Sequence, residues 1–160
     1  MTVLKIIEHP SVILEAKCRP VTEFDSKLKR LVRDMQETMI EADGVGLAAP
    51  QIGQDIRLAI VDIEDEHGLI VLINPELMES SGEQTDIEGC LSFPELYGEV
   101  SRPNVIKIKA LNVKGQSYVL QATGFLARAI LHEMDHLDGV LFTSKVIKYI
   151  PAGELERVDS

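Results

Sequence analysis

The chain has 160 residues, a formal net charge of −10 at pH 7 and 45% hydrophobic residues, with a mean hydropathy of +0.06. That length suits one domain, spanning 1–160, with a real hydrophobic core, and the composition is not that of a disordered chain. No apolar run approaches the roughly 18 residues of a membrane span, and so acidic a balance argues against stable nucleic-acid binding, which needs a basic face.

The first residues, Met1-Thr2-Val3-Leu4-Lys5, lack the apolar core of a signal peptide and soon meet Glu8 and His9. Together with only two cysteines, Cys18 and Cys90, this favours the cytoplasm. Leu28, Leu31, Val32, Met35 and Met39 recur at helical spacing behind Asp25, a suitable N-cap, and predict a helix ending near Asp43-Gly44. Lys27, Lys29, Arg30 and Arg33 on that helix read as a solvated face. The stretch from Gly44 to Gly53 reads as a loop. It lacks the Gly-Lys-Ser/Thr ending of a phosphate loop and follows a helix, so it is read as backbone passing close to a substrate.

Leu58–Ile63 and Leu69–Ile73 are β-rich runs flanking an acidic turn that holds His67. Val105–Leu111 alternates like a half-buried strand, and Asn112-Val113-Lys114-Gly115 turns it into a partner near Tyr118–Ala122. A second helix is expected from Gly124 to Asp138, with Gly139 as its stop. On it Leu126, Ile130, Met134 and Leu137 form one stripe, for the core. Phe125, Ala129, His132, Glu133 and His136 form another, for a site. Pro151 can open one brief helix through Arg157. The expected fold is therefore α+β: antiparallel sheets packed around a central helix, with an N-terminal helix.

The chemistry concentrates in His132-Glu133-Met134-Asp135-His136. Residues four apart on a helix sit one above the other, so two imidazoles can grip one cation while Glu133 serves a water molecule as general base. A catalytic site of this kind wants a third protein ligand and an open position. The pattern HExxHxxGxxH runs on through Gly139 and then fails, because Phe142 stands where a third His is required. Cys90, behind Gly89, is the better candidate, since a thiolate is a strong ligand for zinc or ferrous iron. A buried structural thiol and a free nucleophile served by His132 are the other readings of Cys90. Cys18 reads as an ordinary core thiol.

Three segments together resemble the peptide deformylases: Gly44-Val45-Gly46-Leu47-Ala48-Ala49-Pro50-Gln51, Glu88-Gly89-Cys90-Leu91-Ser92, and His132-Glu133-Met134-Asp135-His136-Leu137-Asp138-Gly139. Their order and spacing cover most of the chain. The resemblance implies a metal-dependent hydrolase of N-terminal processing in protein biosynthesis, which takes the formyl group from N-terminal formyl-methionine and releases formate. It implies Cys90, His132 and His136 as metal ligands, Glu133 as base, and Gln51 with the Leu91 amide as oxyanion donors. One divalent ion is implied, Fe(II) as the native metal, with Zn(II) and others able to replace it. Val45, Ile87, Phe125 and Ala129 are candidate walls for the methionine side chain, with His132 in the floor. The peptide would run extended along Gly44-Val45-Gly46 and Gly89. The formylated nascent peptide is the expected partner, met transiently at the ribosome, with no nucleic acid and no membrane. One departure is visible: the family usually carries Gln before the first His, and this chain has Leu131, which helix geometry turns about a quarter-turn off the ligands. Two other functions fit the motif alone. One is an HExxH peptidase that cleaves internal peptide bonds. The other is a binding module stapled by a metal, without catalysis.

Overall fold

A computed structural model describes residues 2–151. It is α+β, with two antiparallel sheets and two α-helices. Helix α1 spans Ser26–Glu41 and α2 spans Gly124–Leu137. Five strands form one sheet in the order β1-β2-β3-β6-β7: Gly46–Ala48, Leu58–Val61, Ile70–Ser81, Val105–Leu111 and Ser117–Thr123. Three more, β4 (Gln84–Cys90), β5 (Phe93–Arg102) and β8 (Val146–Ile150), form the second sheet in the order β4-β5-β8.

The five-stranded sheet is covered on both faces. Leu58, Ile60 and Ile73 share a buried cluster with Leu28, Val32, Met35 and Met39 of α1. The alternate residues Ala59, Val61 and Leu72 join Leu126, Ile130, Met134 and Leu137 of α2 instead. Successive side chains on a strand point to opposite faces. That alternation explains why β2 is apolar at every position rather than at every second one. A third cluster, Leu14, Phe93, Val100, Leu141 and Phe142, backs the three-stranded sheet.

Several expectations hold. Asp25 caps α1, its carboxylate accepting from the Leu28 amide at 3.1 Å. Strand β6 runs over the expected residues, and Gly139 ends the second helix with φ +74°. A Cβ at Gly139 would sit 2.5 Å from the Glu15 carbonyl oxygen, so the chain reversal requires glycine. Lys27, Lys29, Arg30 and Arg33 are exposed on α1, as a solvated face should be.

Other expectations need correction. The stretch from Gly44 to Gly53 is not all loop: it contains β1 and a 3-10 turn over Ala49–Ile52. Cys90, for which no element was expected, is the last residue of β4. Strand β3 runs on to Ser81 through register shifts near Asn74-Pro75, where the pattern breaks. Of the helix expected from Pro151 to Arg157, residues 152–157 lie outside the described residues.

Candidate metal centre and its cavity

Helix α2 carries two rows of different chemistry. The apolar row packs on the five-stranded sheet. The other row faces the three-stranded sheet and is polar. Gly124, Arg128, His132 and His136 follow at intervals of four, and each bonds to a residue of β4. His132 and His136 stand with ring centroids 5.0 Å apart. Cys90 Sγ lies 3.3 Å from His136 Nε2. The register shift between Gly89 and Cys90 marks a bulge, a device that re-aims a side chain. The ligating atoms of Cys90, His132 and His136 all lie within 4.8 Å of one another.

This donor set fits a divalent cation of the zinc or ferrous type: one sulfur and two imidazole nitrogens, one ligand short of four. His132 is oriented for the role, because its Nδ1 is held by Glu88 Oε1 at 2.8 Å and its Nε2 is left for a cation. Of the remaining histidines, His9 stacks on Phe93 at 4.7 Å and His67 pairs with Asp65 at 2.9 Å, so neither joins the cluster. Phe142, at the place of the missing third His, is fully buried, with its ring centroid 5.8 Å from that of His132.

Glu88 was not singled out from sequence, yet it organises the centre. It is buried and takes Arg102 Nε at 2.5 Å, Arg102 Nη2 at 2.9 Å and Arg128 Nη1 at 2.5 Å, besides His132. Burial pushes its carboxyl pKa up, but the hydrogen bonds from Arg102 and His132 outweigh this and hold it well below the usual carboxylate range. For His132 burial acts to lower the pKa, and the bonds to Cys90 and Glu88 overcome it, to about 10. Burial, then the charge of His132, keeps His136 well below the ordinary histidine value, hence neutral and able to ligate. Burial also raises Glu133 to about 7, and its Oε1 is buried with no partner. Such a carboxylate is poised to take up and release a proton near neutrality.

Gln51 is fully buried and locked at both ends. Its Oε1 accepts from the Ala48 amide at 2.9 Å, while Nε2 donates to Ser92 Oγ at 3.1 Å and lies 3.6 Å from Cys90 Sγ. Gln51 and Cys90 border a cavity of about 640 Å³. Gly44, Val45 and Gly46 line one side, and Ile87, Gly89 and Leu91 another. Phe125, Ala129, His132 and Glu133 come from α2, and Gln51 and Cys90 complete the wall. His136 stands behind, outside that lining. Gly46 lies so close to Glu133 that a Cβ there would collide with its carboxylate. Leu131 is buried in the core cluster shared with the five-stranded sheet, away from the polar row. Besides Glu88, sequence reading passed over Arg102 and Arg128. The interval of four from Arg128 to His132 to His136 was the one available signal for Arg128.

The sequence profile of the family described as polypeptide deformylase matches residues 3–150. The chain is 58% identical over 155 residues to peptide deformylase 1 of Bacillus subtilis, covering 97% of both proteins. The crystal structure of peptide deformylase from Thermotoga maritima superposes with a TM-score of 0.89 at 39% identity, over 91% of this chain and 99% of that one. The peptide deformylase of Legionella pneumophila superposes with a TM-score of 0.88 at 38% identity, over 99% and 98%.

Proposed function

The chain belongs to the polypeptide deformylase family, and on that premise we propose which of its residues carry the reaction. The enzyme is a metal-dependent hydrolase that removes the N-formyl group from nascent polypeptides and releases formate. Cys90, His132 and His136 hold the ion, a donor set that suits Fe(II) and Zn(II) alike; Fe(II) is the native metal that the family resemblance implies, with Zn(II) and other divalent ions able to replace it. When bound, the ion supplies Lewis acidity toward water and the formyl oxygen.

The chain's own groups do the rest. Glu133 Oε1 takes a proton as water attacks the formyl carbon. Negative charge then collects on the formyl oxygen, where the Gln51 side-chain amide and the Leu91 backbone N–H donate to it. A donor of this type is worth about 3 kcal/mol. Glu133 returns the proton to the departing amine nitrogen, the C–N bond breaks, and formate and a free N-terminus separate. The methionine side chain enters the pocket walled by Val45, Ile87, Phe125 and Ala129. The following residues lie extended along the backbone of Gly44-Val45-Gly46 and Gly89. The described residues include no helix long and apolar enough to cross a membrane. The same reading takes 1–160 as one catalytic domain, working in the cytoplasm on chains met at the ribosome.

The observation that carries this reading is the meeting of Cys90, His132 and His136 beside a buried Glu133 with a free oxygen. Protein purified without oxygen should contain one equivalent of iron by elemental analysis and release formate from formyl-Met peptides. Internal cleavage of unformylated peptides without formate release would overturn it in favour of another peptidase.

A further inference from the structure

One wall of the cavity contains a buried charge that the proposed reaction does not use. Arg128 is 2% exposed, sits one turn before His132 on α2, and lines the cavity with Phe125, Ala129 and Ile87. Its Nη1 donates to Glu88 Oε2 at 2.5 Å and its Nη2 to the Gln84 carbonyl at 3.2 Å, while its Nε is buried without a partner. Gln84 in turn donates to the Gly124 carbonyl at 2.7 Å. Among the described residues no backbone hydrogen bond joins β4 to α2, so side chains alone set the gap between them. The side-chain pocket is part of that gap.

Glu88 already has Arg102 and His132 as partners. A second guanidinium is not needed to neutralise it. Burying one with an unpaired N–H is costly, and apolar replacements of buried ions are often neutral or stabilising. Stability alone does not account for Arg128.

We propose that Arg128 is a specificity-determining residue: a strut that fixes the distance between β4 and α2, so that the pocket admits a slim unbranched side chain and rejects a broad one. The inference rests on the reading above that this pocket takes the methionine side chain. Methionine is unbranched and flexible, and threads a narrow slot that an aromatic ring cannot. The planar fork of arginine reaches a carboxylate and a carbonyl with two separate nitrogens held rigidly in one plane, whereas lysine offers one compact ammonium on a flexible stem.

The test is a comparison of kcat and KM for formyl-Met, formyl-norleucine, formyl-Leu and formyl-Phe tripeptides with the iron-loaded enzyme, Arg128→Met and Arg128→Lys. Arg128→Met keeps the unbranched stem and removes the guanidinium. It should raise KM for formyl-Met and cut the preference for formyl-Met over formyl-Phe at least tenfold, a step of the size that pocket contacts govern. Arg128→Lys should fall between it and the parent. A ratio is independent of how much enzyme is folded, so loss of stability alone leaves it unchanged. Unchanged preferences in both variants, or failure of both to fold, would overturn the proposal. A parent enzyme that releases no formate from any of the four peptides would instead overturn the deformylase reading.

Discussion

The two rows of α2 lie less than half a turn apart and are held by different physics. On one row Leu126, Ile130, Met134 and Leu137 press against the five-stranded sheet, with area as the adhesive. On the other, Arg128, His132 and His136 meet the three-stranded sheet through charged and polar bonds. Asp135 adds to that side, taking Arg102 Nη1 at 2.9 Å and Lys145 Nζ at 3.0 Å. Apolar contact is non-directional and tolerates change of shape at constant volume. Buried charge is directional and tolerates loss of a partner badly. The helix thus stands fixed on one sheet while it aims His132 and His136 at the other.

That contrast can be broken or sharpened by experiment. The largest expected effect is on the polar row. Glu133→Ala should keep the metal by elemental analysis and lose at least about 10³-fold in formate release, within the range of general-base catalysis; near-normal turnover would remove Glu133 from the role. Glu88→Gln comes next, since it leaves two guanidiniums against a neutral amide. It should cost about 3–5 kcal/mol in urea unfolding and weaken metal binding about 10–100-fold in a competition titration. On the apolar row, Ile130→Ala should cost about 2–5 kcal/mol, yet leave kcat per folded, metal-loaded molecule unchanged; a fall in kcat would show that the two rows are coupled.

The smallest effect concerns the two thiols, one on each side. Burial raises Cys18 from 9.0 to about 11. The folded state therefore holds this proton more tightly than the unfolded state does. The group's contribution to stability is whole below pH 9 and is lost as pH rises from 9 through about 11. In the native enzyme Cys18 should resist iodoacetamide at pH 8 by mass spectrometry. Stripping the metal with a chelator should open Cys90 to the reagent and leave Cys18 protected. Labelling of both at equal rates would deny the difference between the two sides.

The same division decided what could be read from sequence. Elements that pack by area announced themselves: α1, β6 and the apolar row of α2 follow simple periods, and β2 and β3 were found though not their ends. The His132–Glu133–His136 spacing carried the centre, and Cys90 followed from the lack of a third His. The β4–β5 hairpin went unread because its inward positions include Glu88 and Arg102, and Gly89 and Gly98 interrupt it. A strand that turns charge inward has no alternation to detect. Glu88 itself drew no role from sequence, because the residues that justify burying it, Arg102, Arg128 and His132, are distant in the chain.

The three-stranded sheet has one further consequence, in the order of synthesis. Its edge strand, β8, is the last described element, pairing Tyr97 with Ile150 and Val100 with Val146. Cys90 leaves the ribosome first, then His132 and His136, and only then the strand that completes the sheet bearing the sulfur. A chain cut short before residue 136 owns an unfinished set of the proposed ligands. One cut just after it owns all three, on a sheet without its border. The full set of proposed ligands is therefore complete only late in translation, once residue 136 has emerged.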